Sequence, residues 1–428
     1  MAPPVTFGVV AEREVYINRE ASGSAGTIPA TVGSPVPLTS FKPKNSPMML
    51  YDDSFQGNMG DTYGAFQGPL IASFDLGGHV VGDHGLGDAL FNLLGDYTAT
   101  GAAGSGSTTL TAQCTAGATT ATVASIAGFS SGQAVQLGIT ADGIPEIVVL
   151  STAPGGNTLT FANTPARFTH ANAATVAGVV APFVHVFSLL NGSTGAANGP
   201  AQGPTHCITD RQGVSANGAD QYAYACFSEV TITGNAEKLL DWSGKGMCLT
   251  RQTAASPVGF ANVSSVVPYP SWRTVTGIGG IASGGTQVKY IAEHSVTLTR
   301  ALKAYNTEQG AQAPLVIARG KQSNQGKIVI SPATDDTSMI AFLANSQPQL
   351  QFVSSNGLGG GSLVQVQVDI LLGAYDTNDI TEASELFGFD VAFKPQHTAN
   401  SSSGITMTGA SGGKGAVKVT LTCPTPTF

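Results

Sequence analysis

The sequence predicts a mainly β protein with a few short helices, and three observations carry that prediction. Apolar and polar residues alternate with a period of two in short runs, the mark of strands with one buried face. Gly, Asn, Ser and Pro punctuate those runs, with 54 Gly among 428 residues. Helical spacing is confined to three short windows.

Taken in chain order, the best helix is GDALFNLLG. Asp88 stands at its N-cap or in its first turn, Leu90, Phe91, Leu93 and Leu94 form the apolar stripe, and Gly95 stops it. In AEHSVTLTRAL, Val296 and Leu298 oppose Thr297 and Thr299, and His294 shares the apolar face, where a partly buried histidine is the default. DDTSMIAFLAN from Asp335 reads as a second helix. SLVQVQVDILL places Val364, Val366, Val368 and Ile370 on one face of a strand and Gln365, Gln367 and Asp369 on a wet face. NDITEASELFG from Asn378 reads as a third helix, and KGAVKVTLTC sets Val417, Val419 and Leu421 against Lys418, Thr420 and Thr422.

Charged residues make up 11% of the chain, against about 25% in ordinary soluble domains. A surface built from Ser, Thr, Asn, Gln and Ala suits a protein packed against copies of itself. The formal charge is -8, and the first hundred residues hold ten acids and four bases, a net of -6. Lys and Arg form no cluster that would make a phosphate footprint, which argues against gripping nucleic acid directly. Apolar stretches such as Val179 to Phe187 are interrupted by Pro182 and His185 and fall short of the roughly 20 residues of a spanning helix. The N-terminus shows no secretory pattern, so synthesis and assembly in a cytoplasm are expected. Five scattered cysteines, Cys114, Cys207, Cys226, Cys248 and Cys423, form no metal-ligand spacing and read as buried thiols.

Composition shifts near Thr100. From Gly101 to about Gly178 the charges are Asp142, Glu146 and Arg167 alone. Residues 101–179 therefore read as a small β module inserted into a main domain formed by 1–100 and 180–428. ATGAAGSGS reads as its flexible linker, and Asn191 to Pro204 as a long loop.

Strings that invite catalytic readings fail on context. GASGG at Gly409 to Gly413 centres Ser411 as a nucleophile elbow does, but such an elbow needs a strand before and a helix after. The Gly-Lys pairs at Gly244, Gly320, Gly326 and Gly413 lack the Ser or Thr that would hold magnesium. GIGG at Gly277 and GLGGG at Gly357 read as turns. His79 and His84, near Asp83 and Asp88, lack a third and fourth ligand at firm spacing and read as polar turn residues. The expectation is no enzyme, no cofactor and no metal. PMMLYDDSFQGNMGDTYGAF, by contrast, carries aromatic and Met side chains on turn-rich chain, the material of interfaces; Tyr51, Phe55, Met59, Tyr63 and Phe66 are the candidate contacts between subunits or rings.

The order of these pieces resembles a known family. LYDDSFQGNMGDTYGAFQGPL, then IASFDLGGHVVGDHGLGDALFNLLGDYTA, then SVTLTRALKAYNTEQGAQAPLVIARGK resemble the tail tube proteins of long-tailed bacteriophages, over about Thr6 to Thr98 and Ser265 to Leu421. TAGATTATVASIAGFSSGQAVQLG and the stretch after it separately resemble small β modules grafted onto phage structural proteins. The resemblance implies an antiparallel β-sandwich or barrel whose copies close hexameric rings, stacked into a conduit for genome ejection. Partners would be the chain itself, then tape measure, terminator and distal tail proteins, with DNA in transient, non-specific passage and no membrane insertion. The place of action would be the virion tail, the lumen neutral or acidic, and the module on the tube exterior. The alternatives are a capsid decoration or tail-terminator protein and, further off, a carbohydrate-binding or adhesive β protein, for which isolated Trp242 and Trp272 are a poor basis.

Overall fold

The computed structural model describes residues 13–428 except 31–32, 34, 46–47, 53–63, 83, 116, 139–145, 162–165, 167–168, 192–200, 213–217, 255–267, 279–285, 289, 309–311, 331–342, 345–346, 358–362, 384–385, 397–414 and 427. Strands run, in order, β1 Glu14–Arg19, β2 Pro35–Val36, β3 Ser40–Asn45, β4 Met49–Asp52, β5 Gly64–Gln67 and β6 Ala72–His79, then helix α1 Leu86–Leu94. Next come β7 Gly95–Thr109, β8 Thr120–Thr122, β9 Ala134–Leu137, β10 Glu146–Val149, β11 Thr158–Thr160, β12 Thr175–Leu189, β13 His206–Arg211, β14 Ala219–Asn235, β15 Asp241–Cys248 and β16 Gln252–Thr253. The remainder are β17 Val275–Ile278, β18 Thr286–Val288, β19 Ile291–Tyr305, β20 Val316–Ile330, β21 Leu350–Ser355, β22 Gln365–Ile370, β23 Leu372–Ala383, β24 Leu386–Gln396 and β25 Val417–Cys423. The protein is mainly β, and its ladders are antiparallel.

Two large sheets dominate. The first runs β2-β1-β13-β14-β19-β20-β24-β23, with a branch from β14 through β15 and β6 to β3. The branch exists because β14 changes partners along its length: Ala219 to Ala225 pair with β13, whereas Cys226 to Thr233 pair with β15 across a bulge between Phe227 and Glu229. The second sheet runs β10-β9-β12-β25-β22-β21-β17-β18, with β7 on β12.

Both sheets contribute to one core. Phe74, Phe227, Val296, Leu298 and Phe393 come from the first, Phe187, Phe352, Val366, Val368, Val419 and Leu421 from the second, and Leu90, Phe91 and Leu94 from α1. Phe352 stacks on both His294, at 5.4 Å between ring centroids, and Phe393, at 6.3 Å, so one ring ties the layers together. Gly326 is required here: a Cβ would lie 2.1 Å from the Phe393 ring. Its neighbour Lys327 lies in the same strand, so neither Gly326 nor the Gly320 and Gly244 pairs opens a phosphate loop.

Helix α1 forms as read. The Asp88 carboxylate accepts the Gly85 N–H at 3.1 Å, and Gly95 ends the helix at φ 85°, a left-handed conformation that glycine adopts without penalty. All nine helix residues are buried.

The structure corrects four expectations. NDITEASELFG is no helix: its described residues lie in the paired strands β23 and β24, with Ile380 opposite Phe389. Partner strand β24 offered a ladder that outweighed a weak helical spacing. ATGAAGSGS is no linker; it lies within β7, which pairs β12 from Gly95↔Leu189 to Thr109↔Thr175. Gly277 lies in β17 rather than in a turn. Asp369 is fully buried, not wet, with Lys418 at 3.1 Å and the Gln351 amide donating to it at 2.7 Å. The window from Asp335 and the string around Ser411 lie outside the described residues, apart from single helical residue Leu343 and its near neighbour.

A second core is separate from the first. Leu110, Val123, Val135, Leu137, Val148, Leu159, Phe161 and Val176 pack together, all between 110 and 176 in the chain. The β7–β12 ribbon runs from one core to the other, its register shifting between Ala177 and Val179 and between Val180 and Val184. Because Thr109 directly faces Thr175, an Asn-Gly turn can join them in place of 110–174. We expect that excised chain to keep its main core at a cost below about 2 kcal/mol, measured by thermal unfolding. An excised chain without a cooperative transition would mean that the two cores fold as one unit.

Candidate functional site: an exposed apolar edge across two hairpins

β4 and β5 form their own two-stranded sheet, with Leu50 opposite Phe66 and Tyr51 opposite Ala65. Such a hairpin is marginal in water unless something covers it. Its apolar side chains instead face solvent: Tyr51 is 65% and Phe66 64% exposed, and Met48, Met49 and Leu50 are exposed too. In a strand, neighbours such as Leu50 and Tyr51 point to opposite faces, so both faces of this hairpin are apolar.

The long β19–β20 hairpin reaches the same place. The Gln312 amide donates to Gln67 O at 3.2 Å, and the Leu70 N–H donates to Gln312 O at 2.8 Å. At this tip Tyr305 and Leu315 are exposed, joined by the Leu315 N–H to Tyr305 O bond of 2.8 Å. The two hairpins thus bring Met48, Met49, Leu50, Tyr51, Phe66, Tyr305 and Leu315 to one end of the molecule. Exposed apolar groups gathered in this way mark an interaction site. Of the residues singled out by sequence, Tyr51 and Phe66 stand on this edge, while Phe55, Met59 and Tyr63 lie outside the described residues. The contribution of Tyr305 and Leu315 was hidden, because which distant turn meets which is not written in local spacing.

Two of the edge strands of the first sheet differ in charge. Among the described residues, β3 pairs only with β6 and carries Lys42, Pro43 and Lys44, and β23 pairs only with β24 and carries Asp376 and Asp379. On the open sheet face between them, Lys42, Asp75, Lys245 and Glu229 stand opposite one another on successive strands, alternating in sign, with Lys245 Nζ 2.8 Å from Glu229.

A buried polar framework joins α1 to β14, β19 and β20. Asn92, on α1, accepts the Phe227 N–H at 2.8 Å and an Arg319 N–H at 2.9 Å, and donates to Ala225 O at 2.8 Å. Arg300 donates to Leu93 O, satisfying a carbonyl at the helix C-terminus, and Arg319 donates to Gly203 O and Pro204 O. Arg300 could have been found from sequence, because it continues the inward series Val296, Leu298. Glu20 accepts from Thr205 Oγ1 at 2.6 Å and from the Tyr224 and Gly26 N–H groups at 2.7 Å; burial raises its pKa to about 7, only partly offset by those donors.

His79 contacts Asp241 at 2.6 Å and His84 contacts Asp88 at 3.1 Å, on different elements, and no group of three that could hold a metal occurs among the described residues; Asp83 lies outside them. No disulfide links the five cysteines, which are all buried, and burial pushes the Cys207 thiol up to about 12. Burial lowers His185 to about 4, His206 to about 3 and His294 to about 4 from 6.5. As pH falls from 6.5 towards 4, the unfolded chain takes up protons at these sites before the native chain does, so stability is lost. Glu20 acts oppositely: its contribution is present below pH 4.5 and is lost as pH rises through about 7. Three groups outweigh one, so denaturant midpoints should fall on acidification through this window, and more steeply in Glu20→Gln. A midpoint independent of pH would contradict the assignment.

No protein-family model matches the chain, and no curated protein does. No helix among the described residues is long and apolar enough to cross a membrane.

Proposed function

We propose that this chain is a structural subunit that associates with copies of itself into hexameric rings, stacked as the tail tube of a bacteriophage and serving as a conduit for genome ejection. The observation that carries the reading is the exposed apolar edge across two hairpins, since covering a Phe, Leu or Met side chain is worth about 1.5–3 kcal/mol. The sheet edges support head-to-tail association. Two β3 edges meeting would set Lys42 and Lys44 against themselves, and two β23 edges would do the same with Asp376 and Asp379, whereas β3 against β23 pairs opposite charges. Repetition of that heterologous contact closes a ring or extends a filament. The open sheet face, with charges alternating in sign, offers a passing duplex no basic track to hold it. The sequence resemblance supplies the specific assembly.

In this reading the 101–179 module decorates the tube exterior, and tape measure, terminator and distal tail proteins are the further partners. The place of action is the virion tail. Sedimentation velocity over a range of concentrations tests the self-association: the chain is expected to grow into large, concentration-dependent species, and a monomer throughout would overturn the reading.

A further inference from the structure

A cleft of about 860 Å³ opens between the first sheet and the facing ends of β12 and β25. Its polar wall is Arg300, Arg319, Gln322 and Asn324, the inward face of β19–β20, and among the described residues that line it the charged ones are all cations. A bulge sets Gly320 and Lys321 against Ala301 alone, which turns the strand at this point.

Among the described residues, the buried positive charge here has no matching carboxylate. Arg300 and Arg319 are 3% and 5% exposed, and their donors go to the carbonyls of Leu93, Ala201, Gly203, Pro204 and Gly320 and to Asn92. Among the described residues, Lys394 is the one lining cation with an acid in contact, Asp376 at 2.9 Å. Glu20 is the buried carboxylate that acts on Arg319 through its charge, but its oxygens are taken by Thr205, Tyr224 and Gly26. Arg319 Nε, Gln322 Nε2 and Asn324 Oδ1 are buried without a partner. Buried charge without a counter-ion and unpaired buried polar atoms are both unfavourable, so the isolated chain leaves this wall unsatisfied.

A second copy carries the complementary group. The 15-residue strands of β19–β20 make a hairpin roughly 50 Å long. Between Ala304 and Ala318 its single charge is Glu308, exposed and flanked by exposed Tyr305 and Leu315. The cleft offers such a tip apolar surface as well, from Leu189, Leu190 and Pro395. We propose that the cleft receives the Glu308 carboxylate at the hairpin tip of a second copy, so that tip-into-cleft contacts link copies head to tail. The proposal rests on the self-assembly reading above. A duplex is too broad to follow a side chain into this space, which favours a carboxylate over backbone phosphate.

Sedimentation velocity of the full chain tests it, using Glu308→Gln, Lys321→Glu and the charge exchange Glu308→Lys with Lys321→Glu. Both positions are exposed, so thermal midpoints should stay put. Each single variant should associate about tenfold more weakly, and the exchange should recover most of that loss. Single variants that associate like the unaltered chain, or an exchange no better than the weaker single, would overturn the contact while leaving self-assembly standing. A wild-type chain that stays monomeric removes the self-assembly reading and this proposal with it. Binding of a short DNA duplex that Lys321→Glu abolishes, with self-association intact, would assign the cleft to phosphate instead.

Discussion

Asn92→Ala is expected to destabilise the protein by about 3–5 kcal/mol, most of the net stability of an ordinary domain. The side chain is fully buried and serves α1, β14 and β20 at once. Its loss leaves the Phe227 N–H and the Ala225 carbonyl without their bonds, each at about 1–3 kcal/mol, and removes an acceptor from a buried guanidinium. The cost exceeds that of a cavity of similar size because the remaining groups cannot reach water. Arg319→Met should cost less than Asn92→Ala, since it removes the charge rather than stranding it. Denaturant titration checks both; a loss below about 1 kcal/mol for Asn92→Ala would show that water or a local shift replaces the framework.

Combining Tyr51→Ser with Phe66→Ser is expected to weaken association by two orders of magnitude or more, from about 1.5–3 kcal/mol per apolar side chain no longer covered. Both side chains are exposed in the single chain, so the monomer should unfold at an unchanged temperature. That pairing of outcomes matters. A variant that unfolds early would place the β4–β5 hairpin on the chain's own core, and unchanged polymerisation would remove Tyr51 and Phe66 from the contact.

Much of this was legible because burial on one face writes itself into a strand as a period of two. Val364, Val366, Val368 and Ile370 are buried as their spacing requires, and α1 ends at Gly95 for a reason visible in the glycine itself. Pairing was the blind spot. The glycine-rich start of β7 has low strand preference, and only the presence of β12 makes it a strand; the same holds for the stretch from Asn378, drawn into a ladder by β24. Asp369 read as solvated because its neighbours are Gln, yet Lys418 and Gln351 come from adjacent strands to hold it. The apolar edge was half legible. Met and aromatic residues between Pro47 and Phe66 signalled an interface, but their juxtaposition with Tyr305 and Leu315 depends on Gln312, which no local pattern links to Gln67.

Negative-stain electron microscopy of the purified chain, at concentrations where it associates, tests the central claim most directly. The account predicts hollow filaments of uniform bore, built of stacked rings. Isolated rings, capsid-like patches or a dispersed monomer would contradict it.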